Sequence, residues 1–284
     1  MWNLMPLMRR FMPALVLVLG SAASLAHASD PEAWAKIRAS LFQDRPIEEA
    51  SADLLRLDAP NRAEDAAVVP IGIHTGIEQG SQRFVQKAWL IIDQNPSPVA
   101  ASFTYTPDSG RADIETRVRV NEYTLIRAVA ELNDGSLHMV SRFVKASGGC
   151  SAPAGKDPAE AAASLGRMKV KVDGVAEVDK PVLAQLMISH PNDSGLAMDQ
   201  LSRNYTPAHF VREIQVSYAD RRVLTAEVDI SISENPNFRF YFVPHGAGEL
   251  SVEAIDSQEL HFRTAVKLDP GTNLAASVRP AAGS

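Results

Sequence analysis

Apolar and polar residues alternate along most of this chain. In ASFTYT, Ala101, Phe103 and Tyr105 fall on one side. In IETRVRV, Ile114, Thr116, Val118 and Val120 share a face, and Glu115, Arg117 and Arg119 share the other. The run from Leu137 to Phe143 continues the pattern. It is stronger later, in VLTAEVDISI, in Phe238, Phe240 and Phe242, in Leu250, Val252 and Ala254, and in Leu260 and Phe262. A period of two is that of a β-strand with one buried and one wet face. Turn residues separate the runs: Asn95-Pro96, Pro107 to Gly110, Asn133 to Gly135, Ala219-Asp220, Asn235-Pro236 and Asp256-Ser257. The pattern predicts an all-β protein of two antiparallel β-sandwiches, over about residues 47–147 and 182–268.

Two stretches read as helix instead. Pro31 suits a first helical position, and Trp34, Ile37 and Leu41 then share a face, with Pro46 just beyond the end. In DPAEAAASLGRM, Asp157 stands at a cap position, Pro158 at the first turn and Glu160 at capping-box spacing, with Gly166 as a stop. The helices are expected at the N-terminus and in a linker over 151–181, between a first domain of 29–150 and a second of 182–270.

The ends carry other signals. Arg9 and Arg10 precede an apolar run, Phe11 to Gly20, and Ala26-His27-Ala28 follows. That is the form of a secretory signal peptide over 1–28, and the run is shorter than the ~20 residues a membrane span needs. The mature chain is expected to be exported, without a membrane span, and to end in a disordered Ala-, Gly- and Pro-rich tail over 271–284. A net charge of −6 without a basic cluster argues against nucleic acid as a partner.

Catalytic motifs are missing from the sequence: there is no metalloprotease, nucleophile-elbow, paired-cysteine or phosphate-loop pattern. His74, His138, His190, His209, His245 and His261 are scattered, so no catalytic residue and no metal ligand is named. One residue stands out. Cys150 is the only cysteine and sits in KASGGCSAPAGKDP. Exported proteins commonly pair their cysteines, so an odd one points to intermolecular pairing or to a reactive thiol. Ser147, Gly148, Gly149 and Ser151 read as a flexible arm that leaves the thiol exposed. At ~3.3 Å per residue such an arm reaches up to ~20 Å from the body. A mobile thiol without a fixed base suits a carrier better than an enzyme, which needs set geometry.

The sequence also resembles a known family. Residues 54–150 are similar to SoxY, the sulfur-carrying subunit of bacterial thiosulfate oxidation, through LRLDAPNRAEDAAVVPIGI, DQNPSPVAASFTY, ETRVRV and VAELNDGSLHMVSRFVKASGGC. Residues 183–268 are similar to its partner SoxZ, through SHPNDSGL, YTPAHFVREI, ISENPNFRFYFVPHGAG and ELSVEAID. The arrangement resembles fused SoxYZ-like carriers associated with quinoprotein dehydrogenases. The resemblance implies two immunoglobulin-like sandwiches packed together in the bacterial periplasm, and a sulfur intermediate held covalently on Cys150, with no other cofactor. It implies that catalysis belongs to partners: a c-type cytochrome, a sulfate-releasing hydrolase or a quinoprotein dehydrogenase. SoxY ends in a free GGCGG-like tail, whereas here Ser151-Ala152-Pro153 follows and the chain continues. The alternative is a non-catalytic docking or maturation module for a periplasmic quinoprotein dehydrogenase, with Cys150 incidental.

Overall fold

The alternating segments pair into two stacked sheets. The structure, a computed structural model, describes residues 31–80, 82–153, 155, 158–199 and 202–271. The expected signal peptide, Asp157 and the tail beyond Gly271 lie outside the described residues. Helix α1 (Pro31–Phe42) leads into β1 (Ile47–Glu49), β2 (Leu55–Asp58), β3 (Val69–Thr75), β4 (Val85–Ile92) and β5 (Val99–Tyr105). The first half closes with β6 (Ile114–Val118), β7 (Thr124–Leu132) and β8 (Leu137–Val144). After α2 (Pro158–Ser164) come β9 (Met168–Val172), β10 (Val182–Ile188), β11 (Val211–Tyr218), β12 (Arg221–Val228), β13 (Asn237–Phe242), β14 (Gly248–Asp256) and β15 (His261–Leu268). One sheet runs β1-β8-β7-β4-β5-β12-β11-β14-β15 and the other β2-β3-β6-β13-β10-β9. All pairs are antiparallel except β1 with β8.

The fold class agrees with the sequence pattern, and the interface between the two halves, which the sequence left open, is a sharing of both sheets. Both sheets cross from one half to the other. Strand β5 pairs with β12 from Tyr105↔Leu224 to Ala101↔Val228, and β6 pairs with β13 at Arg239↔Glu115 and Phe240↔Ile114. The apolar faces fuse accordingly into one core. Phe103 of β5 meets Phe238 of β13 with ring centroids 6.4 Å apart. Phe240, Phe242, Leu224 and Ile114 are all buried in the same cluster. Pairing edge to edge also removes two exposed strand edges from each half. The expected linker over 151–181 holds a strand beside its short helix. Its MKVKV run is β9, an edge strand registered on β10 from Ala184↔Val172 to Ile188↔Met168, with Val170 buried and Lys169 and Lys171 exposed.

Helix α1 covers the outer face of the larger sheet. Trp34, Ile37 and Leu41 pack on Trp89, Ile91, Val129 and Leu137, as the helical period predicted. The Phe42 and Trp89 rings meet edge to face at 5.0 Å. With both faces covered there, β4 ends in an unbroken buried run, Ala88 to Ile92, in place of strict alternation.

Candidate functional site

The chain leaves β8 through Lys145, whose backbone is held on both sides: its N–H donates to Asn61 and its carbonyl accepts from Ala63. Ser147, Gly148 and Ser151 reach the surface, but Gly149 and Cys150 do not. Gly148 takes the left-handed conformation, φ 82°. Its N–H donates to the Asn121 carbonyl at 2.8 Å, and that of Gly149 to the Val120 carbonyl at 3.0 Å. Residues Gly149–Ser151 then form a 3-10 turn. Gly149 presses against the neighbouring backbone: a Cβ there would lie 2.0 Å from the Ala66 carbonyl oxygen. The second half completes the enclosure, since the Ser194 hydroxyl donates to the Cys150 carbonyl at 2.5 Å.

The expected exposure of the thiol is therefore corrected, while Ser147, Gly148 and Ser151 of the expected arm do reach the surface. Cys150 is 0% exposed. Gly149 serves close approach, which a side chain would block, and Gly148 turns the chain through a left-handed conformation. Burial pushes the thiol up to about 11, against the pull of the Arg119 guanidinium. A free thiol of reference value 9.0 would hold roughly a hundredfold more thiolate at neutral pH. In its seat Cys150 is a poor nucleophile.

Arg119 departs from its expected face. Strand β6 ends at Val118, and the chain bends so that Val118, Arg119 and Val120 are all buried. The Arg119 N–H donates to the Ser231 carbonyl at 2.7 Å. Its side chain crosses between the halves, with Nη1 3.4 Å from the Gly149 carbonyl and Nη2 3.2 Å from that of Asn192. Asn192 is a hub of the second half: its amide nitrogen donates to Ile232 and its side-chain oxygen accepts from the Val211 N–H.

Next to this hub the fold assembles three residues that sequence spacing could not join. His190, His209 and Asp256 bring their polar atoms within 4.8 Å of one another. The Asp256 carboxylate is 0% exposed. Burial alone would raise it, but His209 at 2.7 Å and the N–H groups of Leu260 and Gln258 hold it below the usual carboxylate range. His190 Nδ1 accepts the Asn192 N–H at 3.0 Å, so the ring proton sits on Nε2, facing Asp256 at 3.5 Å. A metal ion would need that Nε2 lone pair, and metal-bound imidazoles ordinarily donate from the other nitrogen. The donor set fits a hydrogen-bonded lock and not a cation.

This lock has a pH signature. Burial, with His209 nearby, lowers His190 to about 4 from 6.5. Between those values the unfolded chain binds the extra proton, so stability falls as pH drops through that window, by roughly 3 kcal/mol in all. His74 and His245 are raised by hydrogen bonds to Asp113 and Asp179 and act with the opposite sign. The difference in Tm between wild type and His190→Gln is therefore the clean readout. It is expected to narrow between pH 6.5 and 4, as wild type loses what the variant lacks.

A cleft of about 380 Å³ opens beside the Cys150 loop, lined by Pro153, Ala162, Pro191, Asp193, Met198 and His209. Larger clefts, of about 620 and 660 Å³, lie on other surfaces and have no part of this loop in their walls. Among the described residues no helix is long and apolar enough to cross a membrane.

A family model of sulfur oxidation protein SoxY matches residues 38–150, and its match ends on Cys150. A model of sulphur oxidation protein SoxZ matches residues 170–267. A comparison with curated proteins finds no match. Among solved structures, the chain is similar to the sulfur carrier protein SoxY from Chlorobium limicola f thiosulfatophilum, at 26% identity over 40% of this chain and 96% of that one, with a TM-score of 0.34. It is also similar to a superoxide reductase (neelaredoxin) from Ignicoccus hospitalis, at 11% identity over 32% of this chain and 79% of that one, with a TM-score of 0.30. A β-glycosidase from Bacteroides vulgatus matches at 10% identity over 81% of this chain and 26% of that one, with a TM-score of 0.24. The two family matches follow one another without overlap and leave little of the folded body uncovered: the chain belongs to the sulfur oxidation proteins SoxY and SoxZ, with a SoxY domain followed by a SoxZ domain in one polypeptide.

Proposed function

We propose that this chain is a periplasmic carrier that holds a sulfur-containing intermediate covalently on Cys150 and presents it to partner enzymes. The observation that carries the reading is positional: the sole thiol is the last residue of the SoxY match. The chain itself supplies no catalysis. For thiosulfate as cargo, loading joins the Cys150 sulfur to the outer thiosulfate sulfur, giving Cys–S–S–SO3−, one proton and two electrons. A c-type cytochrome would accept the electrons. Water then cleaves the terminal S–S bond on a sulfate-releasing hydrolase, giving sulfate, a persulfide on Cys150 and two protons. A quinoprotein dehydrogenase-linked pathway is the other setting in which the same handle would serve.

The seat described above is the resting state in this reading. Loading needs the loop to leave it, and only a few hydrogen bonds hold it, from Gly148, Gly149, Ser194 and Arg119. Cys150→Ser changes one buried atom and keeps those bonds. It is expected to leave Tm nearly unchanged and to reduce flux through the associated pathway at least about tenfold, to background. The burial of Cys150 favours a second reading, a docking module in which the thiol is incidental. Full pathway activity of the Cys150→Ser strain would establish that reading and sink the carrier.

A further inference from the structure

Arg119 is a buried cation without a close counter-ion among the described residues. It is 3% exposed. Its two hydrogen bonds, to the Gly149 and Asn192 carbonyls, are long at 3.4 and 3.2 Å, and its Nε has no partner among the described residues. The other strongly buried arginine shows what a satisfied site looks like: Arg127 meets Asp93 through Nε and Nη2, both at 2.8 Å. Around Arg119, the acids Glu234, Asp193 and Asp65 act only through space, and none is hydrogen-bonded to it. Among the described residues, the charge that bears on Cys150 is Arg119. An uncompensated buried guanidinium is costly, and the neutral thiol beside it does not relieve the cost.

We propose that the Cys150 seat is an anion site, in which Arg119 binds the negative end of a group carried on the thiol. This rests on the carrier reading for its cargo and adds a selection rule. The sheltered state favours adducts that end in a sulfonate or an ionised persulfide over neutral ones. A guanidinium suits such ends, because its donors form a planar fork that matches an oxyanion. Nε is the donor left free for it. Asp193 and Glu234, whose charges reach Arg119 through space, oppose an anion at the seat, so a preference for anionic adducts has to come from Arg119.

The test uses the full chain and chemical loading, so it does not depend on any partner. Tetrathionate reacts with the Cys150 thiolate to give Cys–S–S–SO3− and releases thiosulfate. Methyl methanethiosulfonate gives the neutral Cys–S–S–CH3 and releases methanesulfinate. If the native seat resists either reagent, loading is done in urea and the protein refolded by dilution. Intact mass verifies each adduct, and Tm is then measured. The anionic adduct is expected to melt at least about 5 °C above the neutral one, because the buried cation gains a partner only in the folded state. The gap should close in Arg119→Gln and persist in part in Arg119→Lys. Equal melting of the two adducts in wild type, or a gap that survives in Arg119→Gln, overturns the proposal. Should Arg119→Gln fail to fold, the wild-type comparison decides alone. A missing adduct on protein from native cells would count against the carrier reading and leave this result standing, so the two failures are distinguishable.

Discussion

Replacing Gly149 by alanine is expected to expel Cys150 from its seat and to raise its alkylation rate by roughly ten- to a hundredfold at fixed pH. The added Cβ would lie 2.0 Å from the Ala66 oxygen, 2.6 Å from its carbonyl carbon and 2.8 Å from the Val120 nitrogen. These are backbone atoms and cannot rotate away. Relief requires the loop to lift, which breaks the bond from Gly149 to Val120 and pulls Cys150 away from Ser194. The thiol, now solvated, loses the burial that holds it at about 11. Gly148→Ala is the control. It carries the cost of a left-handed alanine, about 1 kcal/mol, but its Cβ meets nothing within 4 Å. Iodoacetamide labelling followed by mass checks both variants, and a Gly149→Ala rate within about twofold of wild type would contradict the seat.

The second large effect concerns stability. Arg127 and Asp93 form a buried pair, with three contacts between 2.8 and 3.0 Å. The Arg127 guanidinium also lies over the Trp34 ring at 4.3 Å, so the pair ties α1 to the larger sheet. Arg127→Met is expected to cost about 3–5 kcal/mol, because it leaves the Asp93 carboxylate buried and unpaired. For a chain of this size that lowers Tm by about 10 °C. Adding Asp93→Leu to the same chain should recover most of the loss, since removing both charges also removes their desolvation. Thermal melts of the single and double variants check this. A single variant that melts like wild type would show the pair to be exposed in solution.

The strands and their buried faces were legible in the sequence, because a period of two with punctuating turns is local information. Phe238, Phe240 and Phe242 all point into the core as the alternation requires. Alternation fixes which face is buried, though not which strand lies alongside. The pairings of β5 with β12 and of β6 with β13 were invisible for that reason, and with them the sharing of both sheets between the halves. The short β9 was hidden inside a Gly- and Ala-rich stretch that read as linker.

The site was legible in its chemistry but not in its state. Cys150 stood out by being alone, and the SoxY match ends on it. Its burial is completed by Ser194, more than forty residues downstream, so the local glycines gave the wrong picture of an exposed thiol. Arg119 alternated like a surface residue because the strand bends just where it ends. His190, His209 and Asp256 did carry a signal: each lies in one of the segments that resemble SoxZ. Only the fold brings those three segments to one point.

The most direct test of the carrier is the intact mass of the protein purified from its native cells, with and without reductant. The account predicts a reducible increment on the Cys150 peptide, in steps of a sulfur atom or a sulfonate group. A bare thiol in cells actively oxidising sulfur would contradict it.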